Sequence, residues 1–338
     1  HQYGDGAVVN VYEDQNKDFV IEAGVLKEYH GEDDCVVVPQ NVKAIGDHCF
    51  ENMPIKDIVL HNGIQKIGEC AFTGCSDLTN VTIKDGPTSI GAWAFSGCTS
   101  LQNIKLPNSI TSIRYGAFSG CTGLQSIELP NSITSINGAF WGCTSLQDID
   151  LPDSISIGKS AFYGCTGLQS VKLPSNITGV DKWAFFDCNS LQNVKLSNSI
   201  KEIKYPAFSG WIDLQSIDLP DGITSIENYA FDNCSSLKSI TIPESVTNIG
   251  AFAFRGCYKL SKIRVSETLL SKFRDSFPDE AYKTTMKAIN LAKIQKHEAL
   301  QKEIEAQRKA DGLCPYCGGE FKGIFSLKCK KCGKPKDY

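Results

Sequence analysis

Apolar residues return along this chain every 22 or 23 positions, a period far longer than that of a helix or a strand and the mark of stacked repeats. Counted from Cys98, they fall at +3, +6, +8, +12 and +15 and end on an Ala-Phe pair: Leu101, Ile104, Leu106, Ile110, Ile113, Ala117 and Phe118. The pattern returns from Cys121 and Cys143, and its anchor residue runs Phe50, Phe72, Phe95, Phe118, Phe140, Phe162, Phe185, Phe208, Phe231, Phe254. The alternating Ile104-Lys105-Leu106 predicts a short strand, ended by Pro107, which cannot continue a ladder. A single unit cannot bury its apolar side, whereas a stack of units closes a continuous core. The expected fold class is therefore a repeat solenoid over residues 19–265 with one short parallel strand per coil. Its first coil is degenerate, with Val36, Val38 and Pro39 in the strand slots.

The pattern stops after Val265. Residues 266–310 read as a lower cap and a charged linker helix, with Ser276 and Asp279 as a capping box and Gly312 where a helix would stop. Residues 1–18 form a lead-in and 311–338 a separate small module. Composition changes little of this picture: 41% apolar and 21% charged residues are enough for a packed core. No apolar run is long enough to span a membrane. Charge divides at the end of the repeats, with 19 basic and 28 acidic residues before 266 and 15 and 10 after it. The five histidines are scattered and no phosphate-cradling loop or hydrolase spacing occurs, so an enzyme is not expected.

The repeat C-x-x-L-x-x-I-x-L-P-x-x-I-x-x-I-x-x-x-A-F resembles the BspA-like, or Treponema-type, class of leucine-rich repeats over about residues 19 to 265. Departures are local: Trp211 and Met53 replace the Cys, and the units ending at Phe72, Gly142 and Phe162 are one residue short. The resemblance implies a right-handed superhelix with its strands on the concave face and a role in binding other macromolecules. Relatives of this class are typically bacterial surface or secreted proteins linked to adhesion. The resemblance brings no catalytic residues with it.

Fifteen cysteines sort by position. Cys314, Cys317, Cys329 and Cys332 form two C-x-x-C-G knuckles, a donor set of four thiolates suited to one structural Zn²⁺ with no open position; rubredoxin-type iron is the alternative. Cys75, Cys98, Cys121, Cys143, Cys165, Cys188, Cys234 and Cys257 share one slot of the coil. They are expected to be small buried fillers, since in-register stacking keeps their Cβ atoms too far apart for disulfides. Zinc and unpaired thiols point to a reducing compartment and hence the cytoplasm, whereas the resemblance points to the cell surface or secretion.

Two surfaces are candidates for a partner. On the strand face Glu128, Asp148, Asp150 and Asp153 gather negative charge, while Lys105 with Glu128, Asp150 with Lys172, and Lys195 with Asp218 are expected to neutralise one another between coils. Immediately after the repeat Phe, Trp141, Tyr163 and Phe186 place large aromatics on three successive coils. They form either an exposed patch or local packing against Trp183 or Tyr205. The function these residues favour is a non-enzymatic scaffold for a protein partner. A surface adhesin and a zinc-ribbon nucleic-acid-associated adaptor are the alternatives, and nucleic acid is disfavoured by the lack of a basic stripe with stacking aromatics.

Overall fold

The computed structural model of the protein describes residues 17–177, 179–311, 313 and 315. Two compact units divide the chain, the first ending at Tyr282 and the second beginning at Lys283. The four predicted zinc ligands lie outside the described residues.

The first unit is a β-solenoid, and each coil contributes two parallel strands where the alternation had predicted one. The first ladder starts with Cys35–Val37, Asp57–Leu60, Asn80–Ile83, Asn103–Lys105 and Ser126–Glu128. It resumes at Asp148–Asp150 and runs to Lys262–Arg264. The second ladder is built of two-residue strands such as Ser112–Ile113 and Ser135–Ile136. A Ser-Ile pair is too short to show an alternation, so the sequence hid it. This ladder is interrupted between Ser156–Ile157 and Gly179–Val180. The interruptions fall at the shortened coils: Ile155 and Ile157 stand two apart, where Ile133 and Ile136 stand three apart.

Both ends of the stack are closed by elements the repeat does not announce. At the start, β1 (Phe19–Glu22) and β2 (Val25–Tyr29) form an antiparallel hairpin that heads the second ladder. At the far end, Phe277 stands 23 residues after Phe254 and stacks on it at 5.2 Å and 7°. The repeat therefore does not stop at Val265: the cap is an eleventh turn that keeps the anchor Phe and discards the strands. Helix α1 (Glu267–Lys272) is N-capped by Ser266, whose Oγ accepts from Leu269 N–H. The predicted capping box at Ser276 is not formed. Ser276 is buried and donates its Oγ–H to the Gly250 carbonyl at 2.8 Å, while Asp279 is paired with Arg274. Helix α2 (Asp279–Ala310) opens on Asp279 and Glu280 and ends on Arg308 and Lys309, charges that suit its dipole.

The core is a set of one-residue-wide ladders. Rings from Phe50 to Phe185 stack at 5.0 to 5.7 Å with interplanar angles of 4° to 12°. Each of the ten anchor Phe from Phe50 to Phe254, except Phe208 with Pro206 ahead of it, sits between two residues in the left-handed region. Two positions ahead these include His48, Cys70, Trp93, Gly116, Ser160, Trp183, Tyr229 and Phe252. Two positions behind stands Gly in seven coils, replaced by Asn52, Asp187 and Asn233, residue types that reach positive φ at low cost. The tight turn thus formed aims the Phe inward and leaves its neighbours outside.

The slot Cys is more than a filler. The Sγ–H of each of the eight ladder cysteines donates to the carbonyl of the repeat Phe one coil earlier, at 2.9 to 3.3 Å. Seven of those eight carbonyls, all but that of Phe208, also accept the backbone N–H of the residue three positions on, so the thiol adds a second hydrogen bond that ties one coil to the next. Trp211 supports this reading. It replaces the Cys and its indole N–H reaches the Phe185 carbonyl at 2.5 Å, so the donor survives although the shape does not. The larger ring tilts Phe208 to 56° against it and 32° against Phe231. Among the described cysteines no disulfide forms.

Candidate interaction surface

The acidic group of the strand face forms no metal-holding cluster among the described residues. Glu128, Asp148, Asp150 and Asp153 are all exposed, but the first ladder is interrupted between Glu128 and Asp150. Asp148 accepts from Ser170 Oγ at 2.5 Å, and Asp153 accepts from the Ser175 backbone at 3.3 Å. Among the described residues no cluster of three His, Cys, Asp or Glu side chains is placed to hold a metal ion. Two of the expected charge pairs between coils do not form. Lys105 is in register with Glu128, and Asp150 with Lys172. Among the described residues no ion pair within 4.0 Å joins either couple. Extended side chains on an open face keep their hydration, because pairing there gains little and restricts both chains. Lys105 and Glu128 instead flank a groove of about 700 Å³ along three coils.

The aromatic residues do assemble. Trp141 is 39% exposed and meets Tyr163 edge to face at 5.4 Å. Tyr163 stacks on Phe186 at 5.2 Å and 16°, and both are half-buried. The competing expectation, packing on Trp183 or Tyr205, is not what occurs. Trp183 lies under the Lys159 ammonium at 5.0 Å, and Tyr205 packs on Tyr229.

Those two residues belong to a set that reading only the position after Phe had missed. Two or three positions ahead of the repeat Phe stand Trp93, Tyr115, Trp183, Tyr205, Tyr229 and Phe252. Trp93 meets Tyr115 at 5.4 Å and 71°, and Tyr229 meets Phe252 at 5.5 Å and 28°. Glycine makes room for the first pair: a Cβ on Gly116 would lie 2.4 Å from the Trp93 ring, and one on Gly138 2.5 Å from Tyr115. Together with Trp141, Tyr163 and Phe186, these residues place an aromatic outside the core on every coil from Phe95 to Phe254. Tyr115, Tyr205 and Phe252 are 39%, 39% and 46% exposed. Aligning the columns ahead of the Phe would have revealed the band from sequence.

A stack of short coils with a continuous Leu, Ile and Phe core and an aromatic band on its turn side defines a leucine-rich-repeat solenoid with a built surface. The chain matches the BspA type leucine rich repeat region, in six copies, over residues 43–166 and 155–283, and it belongs to that family. Among solved structures, a leucine-rich repeat protein from Bacteroides ovatus is 29% identical, with 75% of this chain and 82% of that one covered and a TM-score of 0.42. A leucine rich cell surface protein from Faecalibacterium prausnitzii is 26% identical, with 77% and 96% covered and a TM-score of 0.38. The pneumococcal vaccine antigen PcpA is 18% identical, with 75% and 76% covered and a TM-score of 0.48. No curated protein matches the chain. Among the described residues no helix is long and apolar enough to cross a membrane.

Proposed function

We propose that the protein is a non-enzymatic scaffold that binds a protein partner through its aromatic band. The observation that carries the reading is the run of successive coils that each hold an aromatic ring outside a core already filled by Phe. Rings that the core does not need, held half-exposed and in mutual contact, are the residue types and the arrangement found at interface centres. Leucine-rich-repeat proteins in general bind other proteins, which agrees with it. The test replaces Trp141 and Tyr163 together by Ser. Circular dichroism and the unfolding midpoint should stay close to wild type, because neither ring belongs to the Phe ladder, while affinity for a partner captured by the wild-type chain should fall at least tenfold. Unchanged affinity in the folded variant removes the band as the site.

The second part of the reading rests on spacing alone. Cys314, Cys317, Cys329 and Cys332 supply four thiolates and no other ligand, the donor set of a closed structural zinc site. About 26 residues have too little core to fold without such a staple. Purified protein should carry one zinc per chain by elemental analysis, and Cys317→Ser with Cys332→Ser should carry none. Iron in place of zinc, or no metal in the wild type, overturns this part and leaves the scaffold untouched.

A further inference from the structure

The two ends of the solenoid carry opposite charge. Residues 1–254 hold 15 basic and 28 acidic side chains, whereas Arg255 to Tyr282, the end of the unit, hold six basic and four acidic ones, Glu267, Asp275, Asp279 and Glu280, of which Asp279 is paired with Arg274. At the other end, residues 17–34 contain two lysines and six carboxylates. Of these, Glu22, Glu28, Glu32, Asp33 and Asp34 are exposed.

Several of these charges are already engaged. Asp34 holds Lys56 at 2.6 Å, Glu28 faces His30 at 3.0 Å, and Arg255 grips Asp232 through two hydrogen bonds of 2.8 and 2.6 Å. Among the described residues no ion pair within 4.0 Å involves Lys259, Lys262 or Arg264 at the last coil, or Glu22, Glu32 or Asp33 at the first. Lys262 and Arg264 lie in register with the neutral Ser239 and Thr241, so no neighbouring coil offsets them. Each end also exposes apolar surface. Val37 is 57% exposed on the first strand. Tyr258 is 84% exposed beside a cavity of about 390 Å³ lined by Phe252, Tyr258, Phe277 and Pro278.

We infer that the protein associates head to tail, the basic last coil of one molecule docking on the acidic first coil of a second copy. Three cations outside any ion pair meet three carboxylates outside any ion pair, of which Asp33 is hydrogen-bonded to Tyr29, and each end brings an apolar element to the contact. Three cations are few for a polyanion such as nucleic acid, which typically engages ~6–10. The interface is heterologous: a molecule that has docked one end still presents the other, so the assembly grows past the dimer, into a ring where the rotation closes and a filament where it does not. Its attraction acts between solvent-exposed charges and is screened by salt.

Sedimentation of the full chain tests it. At about 0.01 M salt, where the Debye length is ~30 Å, the mass should rise with concentration above the 36.9 kDa of one chain and pass twice that value. At about 1 M, where the length is ~3 Å, it should return to 36.9 kDa. Lys262→Glu with Arg264→Glu makes both ends acidic, and Glu32→Lys with Asp33→Lys makes both basic. Each variant, folded by circular dichroism, should stay monomeric alone, and a mixture of the two should associate again. A wild type that is monomeric at low salt overturns the inference. So does association that persists in either variant alone, or a mixture of folded variants that stays monomeric.

Discussion

Raising the pH above 9 unfolds the solenoid. Burial pushes the thiols of Cys75, Cys121 and Cys165 up to about 12 from 9.0, and drives Cys98, Cys143, Cys188 and Cys234 up as well, with burial again the main cause. Below pH 9 these groups are protonated in the folded and unfolded chain alike and the full stability is present. Between pH 9 and about 12 the unfolded chain loses its thiol protons while the folded one keeps them, so stability falls as pH rises. One pH unit above 9 the loss is about 1.4 kcal/mol per thiol. Over seven such thiols this reaches about 10 kcal/mol, the size of a typical domain's whole stability. Far-ultraviolet circular dichroism should therefore collapse near pH 10 together with the rise of thiolate absorbance at shorter wavelength than tyrosinate. Native structure surviving to pH 11 would show that the thiols are far less buried than described. Among the described cysteines, in the folded state at neutral pH, a thiol reagent should meet exposed Cys35 and half-buried Cys70 first, with the slot cysteines protected.

Phe140→Ala should be the most damaging single core change. Phe140 is fully buried between Phe118 at 5.7 Å and Phe162 at 5.5 Å. Deleting a buried Phe ring costs ~3–5 kcal/mol through lost transfer energy and the cavity that remains. Position adds to size here. The first ladder is interrupted between Ser126–Glu128 and Asp148–Asp150, next to this residue, so the two halves are joined here by the second ladder, by hydrogen bonds such as Phe118 N–H to the Ala139 carbonyl, and by the Phe stack. In a solenoid each coil is stabilised by its neighbours, and weakening one junction uncouples the flanks. Urea unfolding should split into two transitions. Trp93 reports on one side of the junction and Trp183 and Trp211 on the other, while Trp141 sits at the junction itself against Tyr163. Phe277→Ala, at the end of the stack, removes the same ring without dividing the core and should leave a single transition at lower urea. A single, equally shifted transition in both variants would show that the interrupted ladder is not a weak junction.

Much of the architecture could be read from residues because the repeat is one-dimensional. A Leu or Ile that recurs every 22 or 23 residues can only be buried by the coil before and after it, so periodicity gave the stack, its register and its Phe core. The one-residue shortening at Phe140 and Phe162 was likewise visible, although its effect on the ladders was not. What failed to show were features whose signal is a single atom or a pair of residues. The second ladder is two residues per coil. The Cys slot looks apolar until its Sγ is seen 2.9 to 3.3 Å from a carbonyl of the preceding coil. Ser276 and Phe277 read as linker because the cap keeps the anchor and the hydrogen bond but none of the strand residues. The four Cys of the final module are legible in sequence only through their spacing.

The same division holds for the surface. Sequence by itself determined that Trp141, Tyr163 and Phe186 occupy one column and that charge reverses near the end of the repeats, since stacking fixes which residues become neighbours along a column. Only the tertiary structure decided which columns face solvent and which of them merge. The left-handed residues around each Phe turn the chain so sharply that positions two or three before the ring and one after it emerge on the same side. There Trp93 meets Tyr115, Trp141 meets Tyr163 and through it Phe186, and Tyr205 meets Tyr229 and through it Phe252, so successive coils carry three runs of touching rings. The acidic residues Glu128, Asp148, Asp150 and Asp153 were close in sequence and lie exposed on neighbouring coils, where among the described residues they form no cluster that could hold a metal ion. Proximity along a coil is set by backbone conformation, which a repeat pattern does not encode, whereas proximity between coils is set by the repeat itself.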